Sequence, residues 1–472
     1  MDIKIGKNQY LLTTDNNITG YCEKYKIGGY YLYTGEDCRV YDSGTGIHVI
    51  GYAVDIINPK HGMLEMCEKL ATRITDGTIG PQATRNWNGR WVVIVELNKD
   101  IIIWHDCCGL KQCFYYVSGD NIEIASQARY IAALHGFNSD KDALAYIDFE
   151  KRFDKEYSMP LDKSLYKEIR RLLPNHYIHD SIIERADITS VKGSVSSTER
   201  IISDSLKAIQ NKEQLVLTLT AGWDSRLVLA GINSKDGVEA VTLKYDWMAD
   251  DNIDITTASK LAELVGINHR VICCKNTPRW FSEKYMEHSE NGHEYWIQMA
   301  YAVIDGGYSS KLWVKGSCNE IVRNSFGILY NWQVSEHVIC KLYGLGNEVF
   351  ALKAVKDWLT NARPYCKKNR ISLLDLFYWE HRMGSWLSEC LNEADISGEM
   401  FSPFNSRCYL ENGFGIQASK RIAPKYSLFQ QIIINNNLPA NDINKGRYDS
   451  FKSIVKLVIK NKLHILYGLL IK

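Results

Sequence analysis

No charge of one sign dominates this chain: 56 Lys and Arg stand against 55 Asp and Glu across 472 residues, a formal net charge of +1. Without a global field there is no electrostatic case for a nucleic-acid partner. Long apolar runs are missing as well, since none reaches the roughly eighteen uninterrupted residues that a membrane-spanning helix needs. The first fifteen residues, MDIKIGKNQYLLTTD, hold no signal-type apolar core. Together these absences predict a cytoplasmic protein with no transmembrane segment. The thirteen cysteines are odd in number and form no C-x-x-C pair, Cys107 and Cys108, like Cys273 and Cys274, being merely adjacent. This argues against a disulfide framework and predicts reduced, mostly buried thiols.

What is present points to two domains. The chain is too long for one typical core, and twelve Trp and 28 Tyr supply large packing residues. Up to about residue 195, short β-branched runs such as 91–96 and 101–104 alternate with turn signals, as paired strands do. After it, longer helical periods dominate, and KGSVSST at 192–198 is a boundary stretch. The predicted fold class is α/β, with an α+β domain over residues 1–195 and an α/β domain over residues 196–472.

The most informative segment is LVLTLTAGWDSRLVLAGI at 215–232. It reads as a buried strand, a small-residue loop ending in an acid and a hydroxyl, then an amphipathic helix. Backbone amides at a helix N-terminus converge there with the positive end of the helix dipole, and Gly222 lets phosphate oxygens approach without a Cβ in the way. A carboxylate facing bound phosphates is unfavourable unless a cation lies between, so Asp224 is the expected Mg2+ ligand. An ordinary strand–turn–helix with Asp224 or Ser225 as N-cap fits the same residues. GVEAVTLKY at 237–245 is a second buried strand, and residues 254–269 form an amphipathic helix that Gly266 stops. A parallel order of such strands places a ligand crevice at their carboxyl ends.

The run TAGWDSR at 220–226 resembles the S-G-G-x-D-S pyrophosphate loop of asparagine synthetase-like enzymes, whose relatives include β-lactam synthetases and lasso-peptide cyclases. Thr220 keeps the hydroxyl of the family's Ser, and Ala221 replaces its first Gly. The resemblance implies a parallel-sheet adenine-nucleotide synthetase domain that uses ATP and Mg2+. Thr218, Leu219, Thr220, Ala221, Gly222, Asp224 and Ser225 would then contact ATP or pyrophosphate, and Leu243 would meet adenine through its backbone. Pattern alone makes Leu243 equally a plain core leucine. His269 ends a helix similar to the family's D-x-x-x-A-x-x-L-A-x-x-x-G-x-x-H run and is read as scaffold.

LWVKGSCNEIVRNSF at 312–326 resembles the family's G-x-G-x-D-E segment, which grips the α-phosphate, and so brings in Lys315 and Gly316. The departure is that the family's metal-binding Asp is Asn319 here. Either Glu320 reaches the metal beside Asp224, or Asp224 acts with phosphate oxygens and water alone. The competing reading is an ion pair between Glu320 and Arg323 at i,i+3 spacing. YWEHRMGSW at 378–386 and SPFNSRCYLE at 402–411 resemble the acceptor-pocket region, and LPANDINKGRY at 438–448 corresponds to the L-P-x-x-x-x-x-K segment, making Lys445 the expected catalytic lysine.

Residues 88–116 are similar to the core of the family's glutaminase domain, a β-sandwich with helices, with a hairpin turning at 98–100 and His105 where the family has Arg. The family's nucleophile is an N-terminal Cys. Here position 2 is Asp2, no cysteine precedes Cys22, and neither an R-G-P-D nor an N-G-E-I-Y-N stretch occurs. The N-terminal domain therefore reads as a structural remnant that does not hydrolyse glutamine. Residues 453–472 carry apolar residues at helical spacing beside Lys456, Lys460, Lys462 and Lys472. Packing on the domain or on a partner helix is expected over membrane-surface contact.

The function these readings imply is an ATP-dependent, AMP- and pyrophosphate-forming amide ligase. It would adenylate a small-molecule or peptide carboxylate and pass it to ammonia or a substrate amine, with Lys445 and Glu320 as catalytic residues and Asp224 and Glu320 as metal ligands. The alternative is a catalytically inactive nucleotide-binding or scaffold relative. A homodimer is compatible with either.

Overall fold

The computed structural model describes residues 1–97, 100–153, 157–290, 292–323, 329–422 and 425–440, together with residues 459, 463 and 466. The architecture is α/β: two antiparallel sheets precede one parallel sheet. Spatial order in the first is Arg170–Arg171, Phe114–Ser118, Asn121–Ala125, Tyr10–Thr13, Tyr30–Thr34, Glu23–Ile27. In the second it is Ile182–Arg185, His176–His179, Asp100–His105, Trp87–Leu97, Ile47–Asp55, Val40–Asp42.

The strand Trp87–Leu97 shows why these sheets stack. Val92 and Ile94 enter a core shared with Leu12, Leu32 and Ile124 of the facing sheet. From the opposite face, Trp91, Val93 and Val95 pack against Met66, Cys67 and Leu70 of the helix Met63–Thr75. Side chains alternate along a strand, so one covered on both faces reads as an unbroken apolar run. The helix Ala128–His135 covers the first sheet's outer face through Ile131 and Ala132. The expected hairpin pairs Leu97 with Asp100, its residues 98 and 99 lying outside the described residues.

A helix at Val195–Gln210, capped by Ser194 Oγ accepting from the Ser197 N–H, leads into the parallel sheet. Its order is Asn268–Cys274, Val238–Tyr245, Leu215–Thr218, Leu312–Val314, Met400–Phe401. From the central strand Leu215–Thr218 the chain builds outward to one side, then crosses to start again on the other. Neighbouring connections leave in opposite directions there, which opens a crevice at the carboxyl ends of Leu215–Thr218 and Leu312–Val314. The helix expected at 254–269 spans Ile253–Val265, with Asn252 as N-cap and Gly266 ending it at φ +77°.

Buried ion pairs tie the sandwich to a helical run formed by Leu373–Phe377, the π-helical stretch Tyr378–Leu387 and Ser388–Ala394. Arg185 pairs with Glu380 at 2.9 Å, and Arg171 reaches Glu389 at 3.2 Å. Arg90 forks onto Asp395 with contacts of 2.6 and 2.9 Å. The residue before it must be glycine: Gly89 sits at φ +126°, and a Cβ there would lie 2.3 Å from the Tyr52 carbonyl oxygen.

Every cysteine is free, and most are buried. Among the described residues no helix is long and apolar enough to cross a membrane. Most of the C-terminal stripe lies outside the described residues. Ile459, Leu463 and Leu466 are helical and more than half exposed, at 51%, 59% and 53%.

Candidate functional site

The crevice holds a cavity of about 400 Å³. Its walls come from the carboxyl ends of three neighbouring parallel strands: Thr218, Leu219 and Thr220 from the centre, Leu243 and Tyr245 from one side, Lys315 and Gly316 from the other. Thr218 Oγ1 donates to the Val314 carbonyl at 2.9 Å, drawing two of those ends together. Asp224, Ser225 and Glu320 complete the set of predicted residues on the wall.

The loop between the central strand and the helix Trp223–Ala230 is held from inside. Ser225 Oγ lies 3.1 Å from Thr220 Oγ1 and donates to the Thr220 carbonyl, also at 3.1 Å. The Ala221 N–H donates to Asp254 Oδ1 at 2.9 Å, and the Gly222 N–H to Thr220 Oγ1 at 3.2 Å. Ala221 is buried, so it and Gly222 shape the loop from behind the cavity wall. Gly222 is the N-cap and no side chain caps the helix, so its first-turn amides keep their donor capacity toward the crevice. Neither Asp224 nor Ser225 serves as N-cap. His269 acts as scaffold: its Nε2 is 2.9 Å from Thr242 Oγ1, which donates to the Leu219 carbonyl at 2.7 Å.

Lys315 is the cation of the cavity. Its ammonium lies 3.3 Å from Met299 Sδ and 4.8 Å from the centre of the Trp296 ring, and among the described residues no carboxylate stands within ion-pair distance. Burial against these apolar groups pushes it down to about 8. At the mouth, Trp247 is 71% exposed and stacks on Tyr245 with ring centres 6.1 Å apart.

Asp224 has unexpected company. Gly316 presses on it so closely that a Cβ there would be 2.6 Å from the Asp224 Cβ. Asn319 Nδ2 donates to Asp224 Oδ1 at 2.6 Å, while the Arg323 guanidinium contacts Oδ2 at 2.9 Å. Asn319 and Arg323 are four apart on the short helix Asn319–Arg323, so both face Asp224. Arg323 thus pairs with Asp224, while its charge and that of Glu320 also act on each other. Glu320, half-buried and beside the Asp224 charge, is pushed up to about 7 by desolvation and by that charge. Tyr409 Oη, fully buried, donates to Asn319 Oδ1 at 2.5 Å and sets the amide's orientation.

No protein-family model matches this chain, and no curated protein does. Among solved structures it is similar to the NH3-dependent NAD synthetase of Campylobacter jejuni, at 20% identity over 38% of this chain and 86% of that chain, with a TM-score of 0.21. It is also similar to the U34-tRNA thiolase of Methanococcus maripaludis, at 10% identity over 54% and 71% of the two chains, TM-score 0.24. A third likeness is to the glutamine phosphoribosylpyrophosphate amidotransferase of Bacillus subtilis, at 10% identity over 68% and 72%, TM-score 0.20.

The donor set does not fit a protein-held Mg2+. Asp224 is already charge-paired: one oxygen accepts from an amide N–H, and the other lies 2.9 Å from a guanidinium whose positive charge opposes a divalent cation at the same carboxylate. Among the described residues no group of three or more His, Cys, Asp or Glu is placed to hold a metal. Lys445 lies outside the described residues. Sequence reasoning missed Asp254, Tyr245, Trp247, Trp296, Met299 and Tyr409. The first three had a signal, since each lies just beyond or across from the carboxyl end of the strand 238–245.

Proposed function

We propose that the protein is an ATP-dependent, AMP- and pyrophosphate-forming ligase that joins a carboxylate to an amine, in the manner of the asparagine synthetase-like enzymes its sequence resembles. One observation carries this: an uncapped helix N-terminus and the Lys315 ammonium share one cavity at the carboxyl ends of parallel strands. In this reading residues 1–195 are a glutaminase-like domain without glutaminase chemistry, and residues 196–472 are the synthetase domain.

The nucleotide enters past Trp247, with its base at the Leu243 backbone and its phosphates at residues 218–225 and 315–316. Amide formation from a carboxylate is blocked by a poor leaving group, and adenylation supplies a better one. The first-turn amides of the helix Trp223–Ala230 and Lys315 take up charge that develops on pyrophosphate. Glu320, near 7, accepts the proton of the attacking amine. Lys445 stabilises the oxyanion, a role that requires it to stay protonated. The carboxylate is a small molecule or a peptide, and the amine is ammonia or an amino group on the substrate.

Calorimetry with Mg·ATP tests the binding half of this reading, with one bound nucleotide expected. A folded protein that binds none refutes it. A second reading, a nucleotide-binding protein without ligase activity, is favoured by the occupation of Asp224 by Asn319 and Arg323. Release of pyrophosphate with any carboxylate and amine decides between the two.

A further inference from the structure

We propose that this cavity takes a nucleoside triphosphate without a divalent cation bound to the protein, the Arg323 guanidinium standing where a metal would otherwise shield Asp224 from the phosphates. The inference rests on the nucleotide-binding reading above and concerns the electrostatics of that same site.

An anion site built from helix amides is compromised by a carboxylate in the first turn, because Asp224 repels phosphate oxygens at close range. Something positive must compensate. Gly316 packs closely against the Cβ and backbone of Asp224. The second Asp224 oxygen is neutralised by Arg323 at 2.9 Å. The first oxygen accepts from Asn319, whose amide Tyr409 orients so that N–H and not C=O faces the carboxylate. An aspartate at 319 would place a second negative charge beside Asp224 and call for a metal. An asparagine at 319 together with an arginine one turn later satisfies both oxygens with protein donors.

Lys315 then supplies the positive charge on the cavity wall, its ammonium beside Met299 Sδ and the Trp296 ring, on a wall that also carries Glu320 and Asp254, the latter accepting from the Ala221 N–H. A guanidinium suits the role at Asp224 because it remains protonated at any working pH and is weakly hydrated, so burial costs it less than it costs an ammonium. Bound triphosphate therefore meets a charge-balanced Asp224–Arg323 pair and a positive Lys315, the Asp224 charge being offset without a metal anchored on it.

The test is ATP titration by calorimetry, once in excess EDTA and once in excess Mg2+. Wild-type affinities are expected to agree within about threefold. Arg323→Met frees the Asp224 charge and should weaken ATP binding in EDTA by at least about tenfold, with most of the loss recovered in Mg2+. Arg323→Lys, which keeps the charge, should stay within about fivefold of wild type in EDTA and guards against a folding defect in the Met variant. Electron paramagnetic resonance on nucleotide-free protein should detect no tightly bound Mn2+. Wild-type binding that survives in Mg2+ but collapses in EDTA, or a Mn2+ site abolished by Asp224→Asn, overturns the inference and leaves the nucleotide-binding reading standing. Arg323→Met binding in EDTA like wild type overturns the role of Arg323. Absence of ATP binding under both conditions overturns the inference together with the reading beneath it.

Discussion

Lys315 should destabilise the folded protein, and the size of that effect follows from its surroundings. Burial against Trp296 and Met299 lowers its ammonium from 10.5 to about 8. At about 1.36 kcal/mol per tenfold change in proton affinity, this corresponds to about 3 kcal/mol of lost stability at neutral pH. The side chain keeps part of its surface open to the cavity, and water admitted there discounts the figure to about 1–3 kcal/mol. Below pH 8 the folded and unfolded chains both carry the proton, and the full cost applies. Between 8 and 10.5 the unfolded chain holds a proton that the folded chain has released, so stability rises with pH across that window. Lys315→Met removes the charge at nearly constant volume. Urea unfolding of both proteins near pH 7 and near pH 9.5 should show the variant more stable by about 1–3 kcal/mol at the lower pH, with the gap closing at the higher. Tyrosines and cysteines that titrate over the same range are common to both proteins and cancel in the difference. The same substitution should weaken ATP binding by at least about tenfold, because a buried charge without a protein partner is offset only by an anionic ligand. A variant less stable than wild type near pH 7, or an unchanged gap near pH 9.5, refutes the reasoning.

Three further outcomes are expected. Arg90→Met strands Asp395 in the interior and should cost about 3–5 kcal/mol in chemical unfolding, whereas Arg90→Met with Asp395→Leu should recover more than half of it; equal losses in the two variants would mean that packing and not charge pairing holds that junction. Incubation with glutamine should yield no glutamate above a no-enzyme control, since neither an R-G-P-D nor an N-G-E-I-Y-N stretch occurs in the sequence; release that depends on any cysteine would contradict this. Lys445→Ala should keep ATP affinity within about threefold yet cut turnover at least about a hundredfold, and unchanged pyrophosphate release would remove Lys445 from the chemistry.

Much of the fold was legible because its signals are local. Short β-branched apolar runs became strands of the sandwich, and Gly266 ended the helix Ile253–Val265 where a residue without a Cβ is needed at positive φ. The strand–loop–helix at 215–232 was legible too, and the structure places Thr220, Asp224 and Ser225 of it on the cavity wall. The resemblance at 312–326 brought Lys315, Gly316 and Glu320 to the site, and the structure sets all three on the same cavity wall as Asp224.

The elements legible from residues close together in the chain, then, are the strands Trp87–Leu97 and Asp100–His105, the strand–loop–helix at 215–232 and the helix that Gly266 ends. Only the tertiary structure decided which charges meet. Arg323 lies three residues from Glu320 and ninety-nine from Asp224, and it pairs with Asp224 because Gly316 and Tyr409 bring the two segments together. Lys315 looks like any strand-end lysine until Trp296 and Met299 close over it. Ion pairing and burial depend on separations in space that loop closure sets, and spacing along the chain does not encode them.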